Sequence, residues 1–100
     1  MEYAFESTGG NLSVRLGGRM THADYKGFRD ILGRILGDRP QRVVFDLARV
    51  EFVDSSALGM LLIVRDAAIE DRREVVLKGA AGQVEKLVRV AKLHKYFTVE

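Results

Sequence analysis

RVVFDLARVEFVDSSALGMLLIVR, residues 42–65, decides the reading of the chain. Val43, Val44 and Phe45 form a short β-rich apolar run, long enough for a buried strand and too short for a helix. Asp46 is expected to end that strand, with a loop carrying Val50, Phe52 and Val53 back under cover. Asp54-Ser55-Ser56 then offers three successive side chains able to cap a helix, and Ala57-Leu58-Gly59-Met60-Leu61-Leu62 follows at once. The hydroxyls of Ser55 and Ser56 therefore fall where free N–H groups and the helix dipole favour negative charge. Such a place suits a phosphate.

Upstream, Tyr3-Ala4-Phe5-Glu6 alternates and reads as an edge strand, and Gly9-Gly10-Asn11 signals a turn. The hairpin partner is Leu12-Ser13-Val14-Arg15-Leu16, with Leu12, Val14 and Leu16 on one face; Gly17-Gly18 would bulge or end it. Thr21 with Asp24 three residues on resembles a capping box with Asp in place of Glu. Phe28, Ile31, Leu32, Ile35 and Leu36 recur at helical spacing, Gly37 reads as the stop, and Pro40 marks the loop into the central strand.

Downstream, Arg72-Arg73 closes the second helix and Val75-Val76-Leu77 is another buried strand. Gly79 and Gly82 flank a turn. Val84, Leu87, Val88 and Ala91 make a third amphipathic stripe, and Tyr96-Phe97-Thr98-Val99 ends the chain as a short strand. The order β-β-α-β-α-β-α-β predicts an α/β sandwich, a mostly parallel sheet of about five strands with helices over one face, as a single domain over residues 1–100.

On the central helix, Ala57, Leu61, Val64 and Ala68 fall on one side, suited to the sheet, while Gly59, Asp66 and Glu70 fall opposite. Leu62 and Ile63 flank that wet side beside the two serines. Apolar side chains at a polar margin near a modifiable hydroxyl predict a protein contact at Leu62, Ile63 and Asp66; the competing reading is that both apolar residues are partly buried.

Composition narrows the function classes. One hundred residues suffice for one core, and zero cysteines exclude disulfides and thiolate chemistry and fit a reducing cytosol. The N-terminus lacks the blocks of a signal peptide, and the apolar stretch from Ala57 to Val64 is too short to span a bilayer, so a cytoplasmic location is expected. A formal charge of +2 gives no argument for nucleic acid. His22 and His94 stand alone without metal-ligand spacing, and Lys86, Arg89, Lys92 and Lys95 read as a solvated basic face of the last helix. There is no phosphate-cradling glycine loop, no nucleophile elbow and no paired His for metal hydrolysis, so neither enzymatic activity nor a cofactor is expected.

Phe45-Asp46-Leu47 followed by Val53-Asp54-Ser55-Ser56-Ala57-Leu58-Gly59 resembles the signature of STAS domains, the anti-sigma factor antagonists of bacteria, and the element order matches over nearly the whole chain. The run Asp54 to Leu62 is most similar to proteobacterial members that act in partner switching. The resemblance implies a non-enzymatic protein that binds an anti-sigma factor or regulatory serine kinase when unphosphorylated and releases it on phosphorylation, with a serine phosphatase restoring binding. It implies no direct nucleic acid, membrane or small-molecule partner. Carried over residue by residue, the phosphoacceptor is Ser55, flanked by Asp54, Ser56 and Gly59. Two positions depart from the pattern: Ala57 stands where many members have Gly, and Thr21 where many have an acidic residue, with His22 and Asp24 close by. Three alternatives remain: a non-switching scaffold subunit of a lipid-transport or stress-signalling assembly, a nucleotide-binding module, for which no phosphate-cradling glycine loop is visible, and a plain structural N-cap role for the serines.

Overall fold

The computed structural model describes residues 1–100. The chain opens with a hairpin, β1 (Glu2–Thr8) and β2 (Asn11–Met20), whose turn residues Gly9 and Gly10 both take positive φ, +56° and +87°. Two successive left-handed residues match the right-handed twist of the flanking strands, and glycine reaches that conformation without a Cβ clash. Then follow α1 (Tyr25–Asp38), β3 (Arg42–Val53), α2 (Ser55–Glu70), β4 (Glu74–Lys78), α3 (Gly82–Val90) and β5 (Thr98–Val99). This is the expected element order.

The five strands lie in the order β1-β2-β3-β4-β5; β1 pairs antiparallel with β2, and every later pair is parallel. Each parallel connection steps one strand further in the same direction. Crossovers of one hand that never reverse direction place all their helices on one face. The packing agrees: Leu12, Val14 and Leu16 of β2 and Val43, Phe45 and Leu47 of β3 join a single buried cluster with helix residues. Those are Phe28, Ile31 and Ile35 of α1, Ala57, Leu61, Val64 and Ala68 of α2, and Val84 and Val88 of α3. The other sheet face shows water Glu2, Ala4, Glu6 and Arg15.

Several local expectations need correction. β3 does not stop at Asp46; it runs unbroken to Val53, so no loop carries Val50, Phe52 and Val53. Ala48 and Arg49 both point outward, which breaks the alternation, and the neighbouring β2 absorbs the slip with register shifts around Gly17 and Gly18. Those glycines bulge the strand rather than end it, and Gly18 takes φ +76°. Asp46 sits within the strand, its Oδ1 accepting the Ala48 N–H at 3.0 Å. Gly37 does not stop α1, which continues to Asp38; Arg39 takes the left-handed cap with its N–H on Ile35 O, and buried Pro40 prevents continuation. Leu36, at the rim of the apolar stripe, is exposed. α2 ends at Glu70, before Arg72-Arg73, and α3 ends at Val90, so Lys92 and Lys95 do not share a helix face with Lys86 and Arg89.

Candidate functional site

Asp54 is the hinge of the local structure. Its main-chain N–H donates to Met20 O at the end of β2 at 3.0 Å, and its side chain caps α2, Oδ1 accepting the Ala57 N–H at 2.8 Å. Its second oxygen accepts the His22 backbone N–H at 3.2 Å, with the His22 ring Nδ1 3.8 Å away. These contacts hold its carboxyl below the ordinary carboxylate range; the Ala57 N–H contributes most, partial desolvation opposes it, and His22 adds to the lowering. Asp54 thus ties the start of α2 to the short 3-10 turn His22–Asp24 that precedes α1.

Of the three candidate capping side chains, only Asp54 caps. Ser55 and Ser56 are the first two helical residues, and both are exposed. Their N–H groups have no acceptor within the helix. The hydroxyls therefore face water at a helix start whose third donor is already taken by an anion.

Thr21 and Asp24 form the expected reciprocal cap: Ala23 N–H donates to Thr21 Oγ1 at 3.2 Å, and Thr21 N–H to Asp24 Oδ2 at 2.7 Å. The remaining Asp24 oxygen accepts from the Met1 amino group at 3.1 Å. Asp24 is consequently occupied with local structure. Nearest the α2 start, what stands after β2 is His22, a residue whose ring is largely in solvent.

Helical spacing divides the outer surface of α2 into two stripes. Ser55, Gly59, Leu62 and Asp66 share one; Ser56, Met60 and Ile63 share the next. Ile63 is 63% exposed, Leu62 is half-buried against the core cluster, and Asp66 is exposed with Oδ1 2.9 Å from Arg65 Nη1. The serine pair and the three expected contact residues thus lie on one outward surface, but Leu62 and Ile63 lean to different sides of it.

The sequence reading missed the other wall. Met60, Ile63 and Val64 of α2 and Tyr25, Phe28, Arg29 and Leu32 of α1 line a groove of about 190 Å³. Tyr25 is 61% exposed and so matches Ile63 across it. Tyr25, Phe28 and Leu32 follow each other at i, i+3 and i+7, the one sequence signal that could have found this wall. Gln83, also missed, clamps the residue before Asp54: its amide accepts the Val53 N–H at 3.1 Å and donates to Val53 O at 3.2 Å. No group of three or more His, Cys, Asp or Glu side chains is placed to hold a metal ion. No helix is long and apolar enough to cross a membrane.

Comparison with known proteins fits this architecture. A family model described as "Mlab, STAS domain" matches residues 3–100. A STAS-domain containing protein of Pseudomonas aeruginosa is 32% identical over 91 residues, covering 91% of this chain and 89% of that one. The crystal structure of an anti-sigma factor antagonist from Mycobacterium paratuberculosis superposes with a TM-score of 0.85 at 19% identity, over 98% of this chain and 83% of that one. SpoIIAA, an anti-sigma factor antagonist, superposes in its unphosphorylated form with a TM-score of 0.73 at 18% identity, over 92% of this chain and 83% of that one. The phosphorylated form of the same Bacillus cell fate determinant gives 0.74 at 17% identity, over 99% and 91%. At such identities the structural likeness is one of fold. The family model and the Pseudomonas relative go further: the chain belongs to the STAS domain family.

Proposed function

We propose that this chain is an anti-sigma factor antagonist that binds an anti-sigma factor or regulatory serine kinase through the outer surface of α2, and that phosphorylation of Ser55 ends the binding. One observation carries the reading: two exposed hydroxyls open α2, and the stripe of one of them, Ser56, runs through Met60 and Ile63 into the apolar groove between α1 and α2. Phosphate on Ser55 would add about −1.5 to −2 charges beside Asp54. The helix start tolerates that charge, because its first N–H groups are free and the dipole contributes about 0.3–1 kcal/mol in its favour. A partner docked over Ser55 meets a different situation. It must strip water from a dianion, and a surface fitted to a neutral hydroxyl has nothing to pair with it. Release without unfolding follows from that asymmetry. SpoIIAA, whose structures in both phosphorylation states share this fold, supports the reading by likeness.

The test pairs two measurements. Intact mass of the protein from its native cell reports whether phosphate is carried. Affinity capture with wild type, Ser55→Ala and Ser55→Asp, followed by titration of the captured partner, reports the switch. Ser55→Ala should bind and resist modification, Ser55→Asp should bind at least about tenfold more weakly, and Ser56→Ala should still accept phosphate. Phosphate on Ser56 alone, or tight binding by Ser55→Asp, would sink the mechanism.

The occupied Asp24 carboxylate favours a second reading. With Asp24 held by the Thr21 N–H, Asp54 is the one carboxylate tied to the α2 start, and a kinase that needs a second acid there would find none. The chain would then use the same surface as a non-switching scaffold subunit, and no phosphate would appear in the intact mass.

A further inference from the structure

Beyond the end of α2 opposite Ser55 lies a polar concavity. α1 and α2 lead into neighbouring parallel strands through equivalent loops, Arg39-Pro40-Gln41 into β3 and Asp71-Arg72-Arg73 into β4. The loops are joined where Glu74 N–H donates to Gln41 O at 3.1 Å. Between them lies a depression of about 300 Å³ lined by those six residues. It lies one full helix from Ser55, about 24 Å for the 16 residues of α2.

Three arginines meet one carboxylate here. Asp71 accepts from Arg73 Nη1 at 2.8 Å, whereas Arg39 and Arg72, both exposed, make no ion pair. The flanking carboxylates are already engaged, Asp38 by Arg34 and Glu74 by Arg42. Arg73 is 6% exposed, the one charged residue among the buried set, and its Nε is closed to water without an acceptor. A buried guanidinium donor with no partner is costly and rare. The C-terminal dipoles of α1 and α2 account for cations nearby, but not for an unfilled donor on the buried one.

We propose that this depression binds a small phosphoryl-bearing anion, held by Arg39, Arg72 and Arg73. The planar guanidinium fork matches the oxygens of a phosphoryl group two at a time; Arg39 and Arg72 each have a free fork, and Arg73, paired with Asp71 through Nη1, has its Nε left without a partner. The anion balances the excess of three positive charges over one negative. A free phosphorylated solute and the headgroup of an anionic phospholipid share this chemistry. The assignment stands independently of the switch at Ser55.

The experiment has two arms on the full chain. In the first, inorganic pyrophosphate is titrated at fixed ionic strength while NMR follows backbone amides and arginine Nε–H signals. In the second, the protein is sedimented with vesicles of phosphatidylcholine with or without phosphatidic acid. The double variant Arg39→Asn/Arg72→Asn removes both exposed guanidiniums, and Asn suits the left-handed backbone at these positions (φ 52° and 62°). We expect saturable shifts confined to residues 39–41 and 71–73, a displaced Arg73 Nε–H signal, and binding weakened about tenfold or more in the double variant. If the double variant melts early, the single variants carry the same comparison. Retention on phosphatidic acid vesicles without pyrophosphate binding assigns the headgroup as the source and supports the site. Shifts that chloride reproduces, saturable shifts elsewhere, undiminished binding by the variants, or no binding in either arm would overturn it.

Discussion

Inward, α2 presents Ala57, Leu61, Val64 and Ala68, none more than 3% exposed; outward, it presents Ser55, Gly59, Ile63 and Asp66 to water or its margin. The inner stripe is defined by volume, since these four side chains fill the space over a sheet already packed with Phe45 and Leu47. The outer stripe obeys no such constraint, yet it is not uniformly polar. Ile63 is left in solvent beside exposed Tyr25, the two lining one groove. The difference separates what folds the protein from the surface proposed to meet a partner, and if the two stripes are independent, substitutions on them should affect stability and binding separately.

The largest expected effect is on the inner stripe. Leu61→Ala should cost about 2–5 kcal/mol in denaturant unfolding, because the deleted atoms leave a cavity that α2 and the sheet cannot both close. A loss below about 1 kcal/mol would mean that α2 is loosely seated, and the inner stripe would lose its special status.

Next comes the junction between the stripes, Asp54. Asp54→Ala removes the acceptor for the Ala57 and His22 N–H groups without opening a core cavity, so it should destabilise less than Leu61→Ala. Its pH dependence is the sharper test. The carboxyl is held below its ordinary value in the folded chain, so it contributes stability that is fully present above the unfolded value and is lost as pH falls through the folded one. The difference between wild type and Asp54→Ala should be constant near neutral pH and shrink at acid pH. A difference that grows on acidification would reverse the assignment.

Gly59 tests the outer stripe from the opposite side. A Cβ there meets nothing within 4 Å, and glycine inside a helix is less favourable than alanine. Gly59→Ala should therefore raise stability by about 0.5–1 kcal/mol while placing a methyl on the Ser55 stripe. By contrast, a Cβ on Gly27 in α1 would lie 2.7 Å from Met1 Cε and 3.1 Å from Tyr3 Cε1, so the equivalent change there should lose that gain.

What the sequence showed follows the same division. The inner stripe of α2, the glycine hairpin and the parallel order were legible because each rests on a local period or a single turn residue. The full length of β3 was not: Ala48 and Arg49 break its alternation, and the repair lies in the register of β2, a different part of the chain. Gly37 looked like the end of α1, but Arg39 followed by Pro40 ends it, against the usual preference for glycine in the left-handed cap. At the site, Asp54, Ser55 and Ser56 stood out as a motif, and the structure separates their duties into one cap and two exposed hydroxyls. The groove was invisible because neither wall is a site alone; Tyr25 and Ile63 become neighbours only when α1 and α2 pack together. Gln83 gives no sequence signal, since its role depends on where β3 ends.

The smallest expected effect on stability belongs to Asp66. It is two-thirds exposed, and its contact is a surface ion pair with the adjacent Arg65. Such pairs contribute about 0–1 kcal/mol and are screened by salt. Arg65 keeps its stronger attachments without it: Nε donates to Tyr96 O at 2.6 Å, and the guanidinium lies 5.5 Å from the Tyr96 ring centroid. Asp66→Ala should therefore change unfolding by no more than about 0.5 kcal/mol. Binding is where Asp66 should matter, since it shares a stripe with Ser55 and Leu62. Measured side by side, the variant should melt like wild type and bind the captured partner more weakly, with Ile63→Asp showing the same split more strongly. If Asp66→Ala instead unfolds as readily as Leu61→Ala, the outer stripe is structural. If it melts and binds like wild type while Ile63→Asp alone fails to bind, the contact lies on the α1 groove rather than along the Ser55 stripe.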